Sequence, residues 1–321
     1  MGKLALLFSL LVLHGCTTRN VDATEKKPAS FFSLNEISSS ETKYLAPLQY
    51  VRSSDNIDLA FRAYIPPHPK AILVFYHGAG AHSGLIYNHI GVGLSDAYNI
   101  VVYTPDLRGH GYSSGPRGDS PSPEQVWHDI NSMINRIRQA YPDLPLFMGG
   151  HSGGSGLVLN YLSWPERIPI NGYVFIAPYF GYRSKTDFDE KKVDFTSVKI
   201  SSFVINTISG GFFMGHSKAV RYNYPAEILE QNPKIVAFNT VNMSNALTPT
   251  SPQSQFSMLQ RFGLWIGDRD ESFDPSKIIR FAEQNQSKEA AGNIQIVKGE
   301  NHFSILLKVH ELIGPWILSQ L

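Results

Sequence analysis

From about residue 48 the chain alternates short, continuously apolar runs with longer amphipathic ones. Leu48 to Ile65 reads as two strands of a hairpin turning at Ser54-Asp55-Asn56. Ala71-Ile72-Leu73-Val74-Phe75-Tyr76 has no polar interruption, as a strand covered on both faces requires. Ile100 to Tyr103, Leu146 to Met148, Tyr173 to Ile176, Phe262 to Ile266 and Ile294 to Val297 read the same way. Helices are predicted between them. One runs from Ile86 to Ala97. Another opens at Ser122-Pro123-Glu124-Gln125, a serine cap with proline in the first turn and glutamine three residues on. Val126, Ile130, Met133, Ile134 and Ile137 then share its buried face. Further helices are expected after Gly154, from about Pro275, and at the end of the chain to Leu321. Strands alternating with helices predict an α/β fold, with a mostly parallel sheet and helices on both faces.

One stretch breaks the alternation. Residues 182–256 are too many for a loop and include Val198-Lys199-Ile200-Ser201-Ser202-Phe203-Val204-Ile205 and Gly210-Gly211-Phe212-Phe213-Met214-Gly215. They read as a helical cap inserted over the carboxyl ends of the strands, where ligands bind in such sheets. The core is then 48–181 and 257–321. The apolar cap residues Phe203, Val204, Phe212 and Phe213 fit either a lipid-like substrate or plain packing of cap on core.

The amino end has a different composition. Met1-Gly2-Lys3 leads into the apolar run Leu4 to Leu13, which fits a signal peptide over 1–15 and is too short to span a bilayer. Cys16 follows and is the only cysteine, which excludes an intramolecular disulfide or a cysteine metal site. Leu13-His14-Gly15-Cys16 resembles a bacterial lipobox, departing from it at His14 where a small residue is usual. That resemblance implies that Cys16 is lipidated and anchors the protein to a membrane in the cell envelope. Thr17, rather than aspartate, implies outer-membrane sorting in a host with two membranes. Residues 16–47 are polar and read as a tether. A net charge of +1 with no basic cluster gives no reason to expect a nucleic-acid partner.

The chemistry centres on Gly150-His151-Ser152-Gly153-Gly154. This G-x-S-x-G pattern sits between a strand and a helix, the context of a nucleophile elbow. The glycines permit a sharp turn that lifts the Ser152 hydroxyl over the sheet end. Ser152 needs a base, and the base needs an acid to orient it. His302, just after the last strand, is the expected base. The acid lies in Gly267-Asp268-Arg269-Asp270-Glu271, with Asp270 the first candidate, Asp268 the second and Asp274 a distant third. The oxyanion donors are the backbone N–H groups of Gly153 and, from the loop His77-Gly78-Ala79-Gly80, of Ala79. Asp106-Leu107-Arg108-Gly109-His110-Gly111 is read as structural, with Asp106 accepting loop hydrogen bonds; the alternative is that Arg108 or His110 touches substrate. His77 and His151 fit structural roles.

These motifs resemble, in order and spacing, the α/β-hydrolases of the monoacylglycerol lipase and lysophospholipase type, within the S33 serine aminopeptidase group. His77 to Gly84, Asp106 to Gly115 and Gly150 to Gly154 carry the resemblance, which spans roughly Leu48 to Leu321. Gly153 departs from it, since these lipases usually have Met there; the N–H donor remains. The resemblance implies hydrolysis of a monoacylglycerol, lysophospholipid or similar small ester, with no cofactor and no metal. Open alternatives on the same triad are a small-ester carboxylesterase, an acyltransferase and an aminopeptidase, the last served by Asp187, Asp189 or Glu190. A surface binding protein without activity is the non-enzymatic one.

Overall fold

The computed structural model describes residues 44–190 and 192–321. The segment expected to be a signal peptide, Cys16 and most of the segment expected to be a tether lie outside the described residues. The first half of the core runs β1 (Leu48–Arg52), β2 (Asp58–Tyr64), β3 (Ala71–Tyr76), α1 (Asn88–Tyr98), β4 (Ile100–Pro105), α2 (Pro123–Ala140), β5 (Leu146–His151), α3 (Gly153–Ser163) and β6 (Gly172–Ile176). The insertion carries β7 (Thr196–Val198), α4 (Ile200–Ile208), β8 (Lys218–Tyr222), α5 (Ala226–Gln231) and β9 (Phe238–Thr240). The chain then returns through α6 (Val241–Leu247), α7 (Pro252–Ser257), β10 (Arg261–Gly267), α8 (Pro275–Asn285), β11 (Ala291–Val297), α9 (Ile305–Lys308) and α10 (His310–Ser319).

Eight strands form one sheet in the order β1-β2-β4-β3-β5-β6-β10-β11. β1 pairs antiparallel with β2, and β2 antiparallel with β4. Every other pairing in this sheet is parallel. The hairpin expected over Leu48 to Ile65 is thus β1–β2. β3, β4, β5 and β6 are buried along their whole length, which explains their unbroken apolar runs. One face of the sheet is covered by α2, α3, α6, α7 and α8, through Ile130, Leu157, Met243, Phe256 and Ile278 among others. The opposite face is covered by α1, α9 and α10, through Leu94, Ile305 and Trp316.

Three expectations are corrected. The insertion is not purely helical, because β7, β8 and β9 form their own antiparallel sheet. Its flanking strands have only three residues each, too few for an alternating pattern. The end of the expected 182–256 cap belongs to the core side, since Met243, Ala246, Leu247 and Phe256 are buried in the main cluster under the sheet. The expected tether over 16–47 cannot reach its expected end, because Ala46 is buried and its carbonyl accepts from the Arg62 guanidinium. Among the described residues, no helix is long and apolar enough to cross a membrane.

Candidate active site

β5 ends at His151 and α3 begins at Gly153, so one residue makes the turn. Ser152 makes it with φ 52° and ψ −120°, a conformation that costs a non-glycine residue roughly 1–3 kcal/mol. Its surroundings hold it there. The Ser152 N–H donates to Ile176 O at 3.0 Å, and its carbonyl accepts from Ser155 N–H at 3.0 Å and Tyr179 N–H at 3.1 Å. The flanking glycines are steric necessities. A Cβ on Gly150 would lie 2.3 Å from Gly154 C, and one on Gly154 would lie 2.4 Å from Tyr76 O. The turn leaves Ser152 at the amino end of α3, where the helix presents its partial positive charge.

β10 and β11 deliver the other two side chains from adjacent loops. His302 Nδ1 meets Asp270 Oδ2 at 2.8 Å, with both residues buried. The second carboxylate oxygen of Asp270 accepts from the N–H groups of Ser272 and Phe273, each at 2.8 Å. Asp268 instead accepts from Gly299 N–H at 2.7 Å and ties the two loops together. Asp274 caps α8 through Ser276 N–H and Lys277 N–H. The structure therefore brings Asp270 to His302 and gives the other two candidates different work. Burial pushes the His302 imidazole down, but the charges of Asp270 and Glu271 outweigh it, so its pKa lies above the usual histidine value.

The loop His77-Gly78-Ala79-Gly80 comes alongside. Ala79 N lies 3.8 Å from the point where a Cβ on Gly153 would stand, and Gly78 is packed against the Ser152 side chain. The two expected oxyanion donors thus sit side by side. Buried histidines brace them. His77 Nδ1–H donates to Gly78 O at 2.9 Å while its Nε2 accepts from Leu107 N–H at 3.1 Å. Burial pushes His77 down to about 4, so it stays neutral with that tautomer fixed. Gly78 N–H donates to Tyr87 Oη at 2.8 Å, Tyr87 O–H to His151 Nδ1 at 3.0 Å, and His151 Nε2–H to His302 O at 2.9 Å. One chain of hydrogen bonds therefore joins the oxyanion loop to the backbone of the base.

Ser152, Gly153, Ala79 and His302 open onto one cavity of about 490 Å³, within the range of small-ligand sites. Its cap wall includes Phe188, Val193, Phe195, Val198, Val220 and Tyr222. Glu271, which is not among the expected site residues, also lines it. Its Oε2 accepts from His302 N–H at 3.2 Å, and burial pushes its carboxyl up. Its sequence signal is a second carboxylate directly after Asp270, which a triad, needing only one acid, does not call for.

The motif after β4 is structural. Asp106 accepts from Ser83 N–H at 2.6 Å and Tyr112 N–H at 2.8 Å. Arg108 is buried between Asp129 at 2.6 Å and Asp55 at 2.9 Å, and neither it nor His110 lines the cavity. Among the described residues no cluster of three or more His, Cys, Asp or Glu is arranged to hold a metal ion.

A family model described as serine aminopeptidase, S33, matches residues 67–303, which contain Ala79, Ser152, Gly153, Asp270 and His302. The chain belongs to the S33 serine aminopeptidase family. Monoglyceride lipase of Rattus norvegicus is 29% identical over 144 residues, 44% of this chain and 45% of that protein. Phospholipase YtpA of Bacillus subtilis is 28% identical over 119 residues, 37% of this chain and 44% of that protein. The chain spans less than half the length of these curated relatives. A soluble variant of monoglyceride lipase from Saccharomyces cerevisiae, solved with a substrate analogue, matches with TM-score 0.64 at 16% identity. That match covers 87% of this chain and 97% of the other. At that identity the likeness shows the fold, which is the α/β-hydrolase fold with its mostly parallel sheet.

Proposed function

We propose that this member of the S33 family is a serine hydrolase that cleaves carboxylic esters of single-chain lipids, of the monoacylglycerol or lysophospholipid kind. The observation that carries the reading is the meeting of Ser152, the Asp270-paired His302, and the N–H groups of Ala79 and Gly153 at one cavity. Ser152 Oγ attacks the ester carbonyl while His302 takes its proton. Ala79 and Gly153 hold the oxyanion. His302 returns the proton to the leaving alcohol, and water then releases the acid from the acyl-enzyme. Asp270 fixes the imidazole tautomer throughout.

Two features favour a lipid. The cap wall of the cavity is largely apolar, and the cap also carries exposed apolar residues. Val198 lines the cavity and is itself exposed, and in the segment that follows it in sequence Ile200, Ile208, Phe212 and Phe213 are open to solvent, with Ile208 at 81% and Phe212 at 89%. These residues are not packing the cap onto the core. Exposed apolar side chains on the same cap that walls the cavity suit contact with a lipid layer. Relatives named monoglyceride lipase and monoacylglycerol lipase point the same way. Lipidation at Cys16, with the body held at the envelope membrane and sorted to the outer membrane in a host with two, belongs to the same proposal and rests on the sequence.

A second reading, amine-directed peptide cleavage, draws on the family description and on Asp187 and Asp189 in the cavity wall. Lys277 Nζ already meets Asp189 at 2.6 Å and the Asp187 carbonyl at 3.0 Å, which weakens it. The test compares p-nitrophenyl esters from acetate to palmitate, monoacylglycerol, lysophosphatidylcholine and aminoacyl p-nitroanilides, with Ser152→Ala as control. Turnover of medium or long acyl esters that falls more than about 10⁴-fold in Ser152→Ala is expected. Turnover confined to acetate and butyrate, or to the anilides, would overturn the lipid reading.

A further inference from the structure

The loop that carries Ala79 is glycine-flanked on both sides, and that makes its conformation an open question for the chain to settle. Gly78 and Gly80 put a freely rotating residue on each side of Ala79. A peptide unit turns as a rigid plane, so the Ala79 N–H can swing away from the cavity at little intrinsic cost. What fixes it must be hydrogen bonds to the loop carbonyls. Gly78 O is held from the core by His77 Nδ1–H at 2.9 Å and by Ala81 N–H at 3.2 Å. The next two carbonyls are held from the insertion. Tyr224 O–H donates to Ala79 O at 2.5 Å, and Val236 N–H donates to Gly80 O at 2.8 Å. The contact at Gly80 is backbone against backbone, since a Cβ there would lie 2.1 Å from Val236 O, and Gly80 has φ +66°.

We propose that the cap completes the oxyanion hole: the core holds the Gly78–Ala79 plane that carries the N–H, and Tyr224 is the positioning residue that locks the following Ala79–Gly80 plane, so that Ala79 cannot turn about its own backbone dihedrals and carry its N–H away from the reacting carbonyl. The inference rests on the serine-hydrolase reading of the cavity. Tyr224 is suited to the task. It is buried, and its ring stands edge-on to Phe195, with centroids 5.1 Å apart and planes at 89°. Phe195 in turn stacks on Tyr222 at 5.6 Å and 22°. Phe195 and Tyr222 both line the cavity. An acyl chain lying there presses on the same aromatic stack that seats the Tyr224 hydroxyl. Substrate occupancy and oxyanion-loop order are thereby linked through three rings. The burial that pushes the Tyr224 phenol well above its ordinary pKa keeps it a donor at all working pH values.

The experiment compares full-length wild type and Tyr224→Phe, which deletes one oxygen and keeps the ring. On the best ester substrate, kcat is expected to fall about tenfold, the equivalent of one ordinary hydrogen bond, with KM unchanged. The inhibition constant of an alkyl trifluoromethyl ketone, whose hemiketal oxyanion occupies the same hole, is expected to weaken by the same factor. A raised KM with kcat held would make Tyr224 a substrate contact and overturn the proposal. A lowered melting temperature with both constants held would make it only structural, and would overturn it too. Should Tyr224→Phe not fold, amide hydrogen exchange on the wild type decides. The Val236 and Ala81 amides are expected to exchange through one shared opening that the trifluoromethyl ketone slows together; independent exchange would refute the clamp. The Ser152→Ala control separates the two ideas. Loss of turnover there beside an unaffected Tyr224→Phe defeats the clamp alone. Wild-type turnover that survives in Ser152→Ala defeats the underlying reading.

Discussion

Replacing Gly154 by alanine tests the elbow without touching Ser152, and Gly153→Ala is its matched control. A Cβ on Gly154 would stand 2.4 Å from Tyr76 O, 2.7 Å from His77 O and 3.0 Å from Tyr76 C. All three are backbone atoms at the end of β3 and the start of the oxyanion loop, so no side chain can swing aside. Ordinary contact requires α3 and β3 to separate by most of an ångström. Overpacking of this kind costs about 1–3 kcal/mol, and an unyielding backbone neighbour puts Gly154→Ala near the top, at about 3 kcal/mol. At 153 a Cβ would meet only Ala79 N, at 3.8 Å. Alanine outranks glycine in a helix interior by about 1 kcal/mol, and the first turn realises a fraction of that, so Gly153→Ala is expected within about 0.5 kcal/mol of wild type. Denaturant midpoints and thermal melts read both. At roughly 2–4 °C per kcal/mol for chains approaching this size, Gly154→Ala is expected to lose about 6 °C or somewhat more. Turnover should follow geometry, since a misplacement of about 1 Å can cost about 10²-fold. Gly154→Ala should therefore lose both stability and kcat, while Gly153→Ala keeps both. Wild-type melting and turnover in Gly154→Ala, or a loss above about 2 kcal/mol in Gly153→Ala, would refute this account of the turn.

Two predictions concern protons. His302 faces Asp270, Glu271, the neutral His151 ring and the Phe273 and Phe303 rings, and its pKa is raised by the two carboxylates against burial. A base must be neutral to act, so the acid limb of kcat/KM is expected above about 6.5. Glu271→Gln keeps an acceptor for His302 N–H and removes one negative charge, so the limb should move to lower pH; a limb that stays put or rises would show that Glu271 does not act on the imidazole. Buried His77 is pushed down to about 4 and His110 to about 3, so the unfolded chain takes up their protons first as pH falls below about 6.5. Their contribution to stability is present above about 6.5 and is lost on the way down to those lower values. The urea midpoint should accordingly fall between pH 6.5 and 4.5, and fall less steeply in His110→Asn. An equally steep fall in that variant would mean His110 is not held neutral.

The parts of the site that were legible in the sequence are those where local backbone demands leave a residue signature. Gly150 and Gly154 had to be glycine because backbone atoms occupy the space of a Cβ. The buried strands showed as unbroken apolar runs because both faces are covered. His302 and Asp270 followed from their place after the last strands. The insertion was harder for a physical reason. β7 and β9 have three residues each, are partly polar, and exist only because β8 lies between them. Its apolar run fits either packing or a lipid-facing surface, and no periodicity distinguishes the two; in the structure Ile200, Ile208 and Phe212 are exposed. α6 and α7 read as cap because they follow the cap in sequence, although their apolar residues complete the core. Tyr224 and Val236 could not be found at all, since their bonds to Ala79 and Gly80 join segments more than 140 residues apart.

That long-range bonding has a consequence for recombination within the family. The insertion looks like a module, bounded by β6 and α6, that could be exchanged to change which esters are accepted. Here it also supplies Tyr224 O–H and Val236 N–H to the loop beside the nucleophile. A chimera that takes 182–240 from one parent and 77–82 from another therefore mixes two halves of one hydrogen-bonded unit. Grafts that carry both segments together are the ones in which a change in substrate preference can be read without a loss of catalytic power riding along with it.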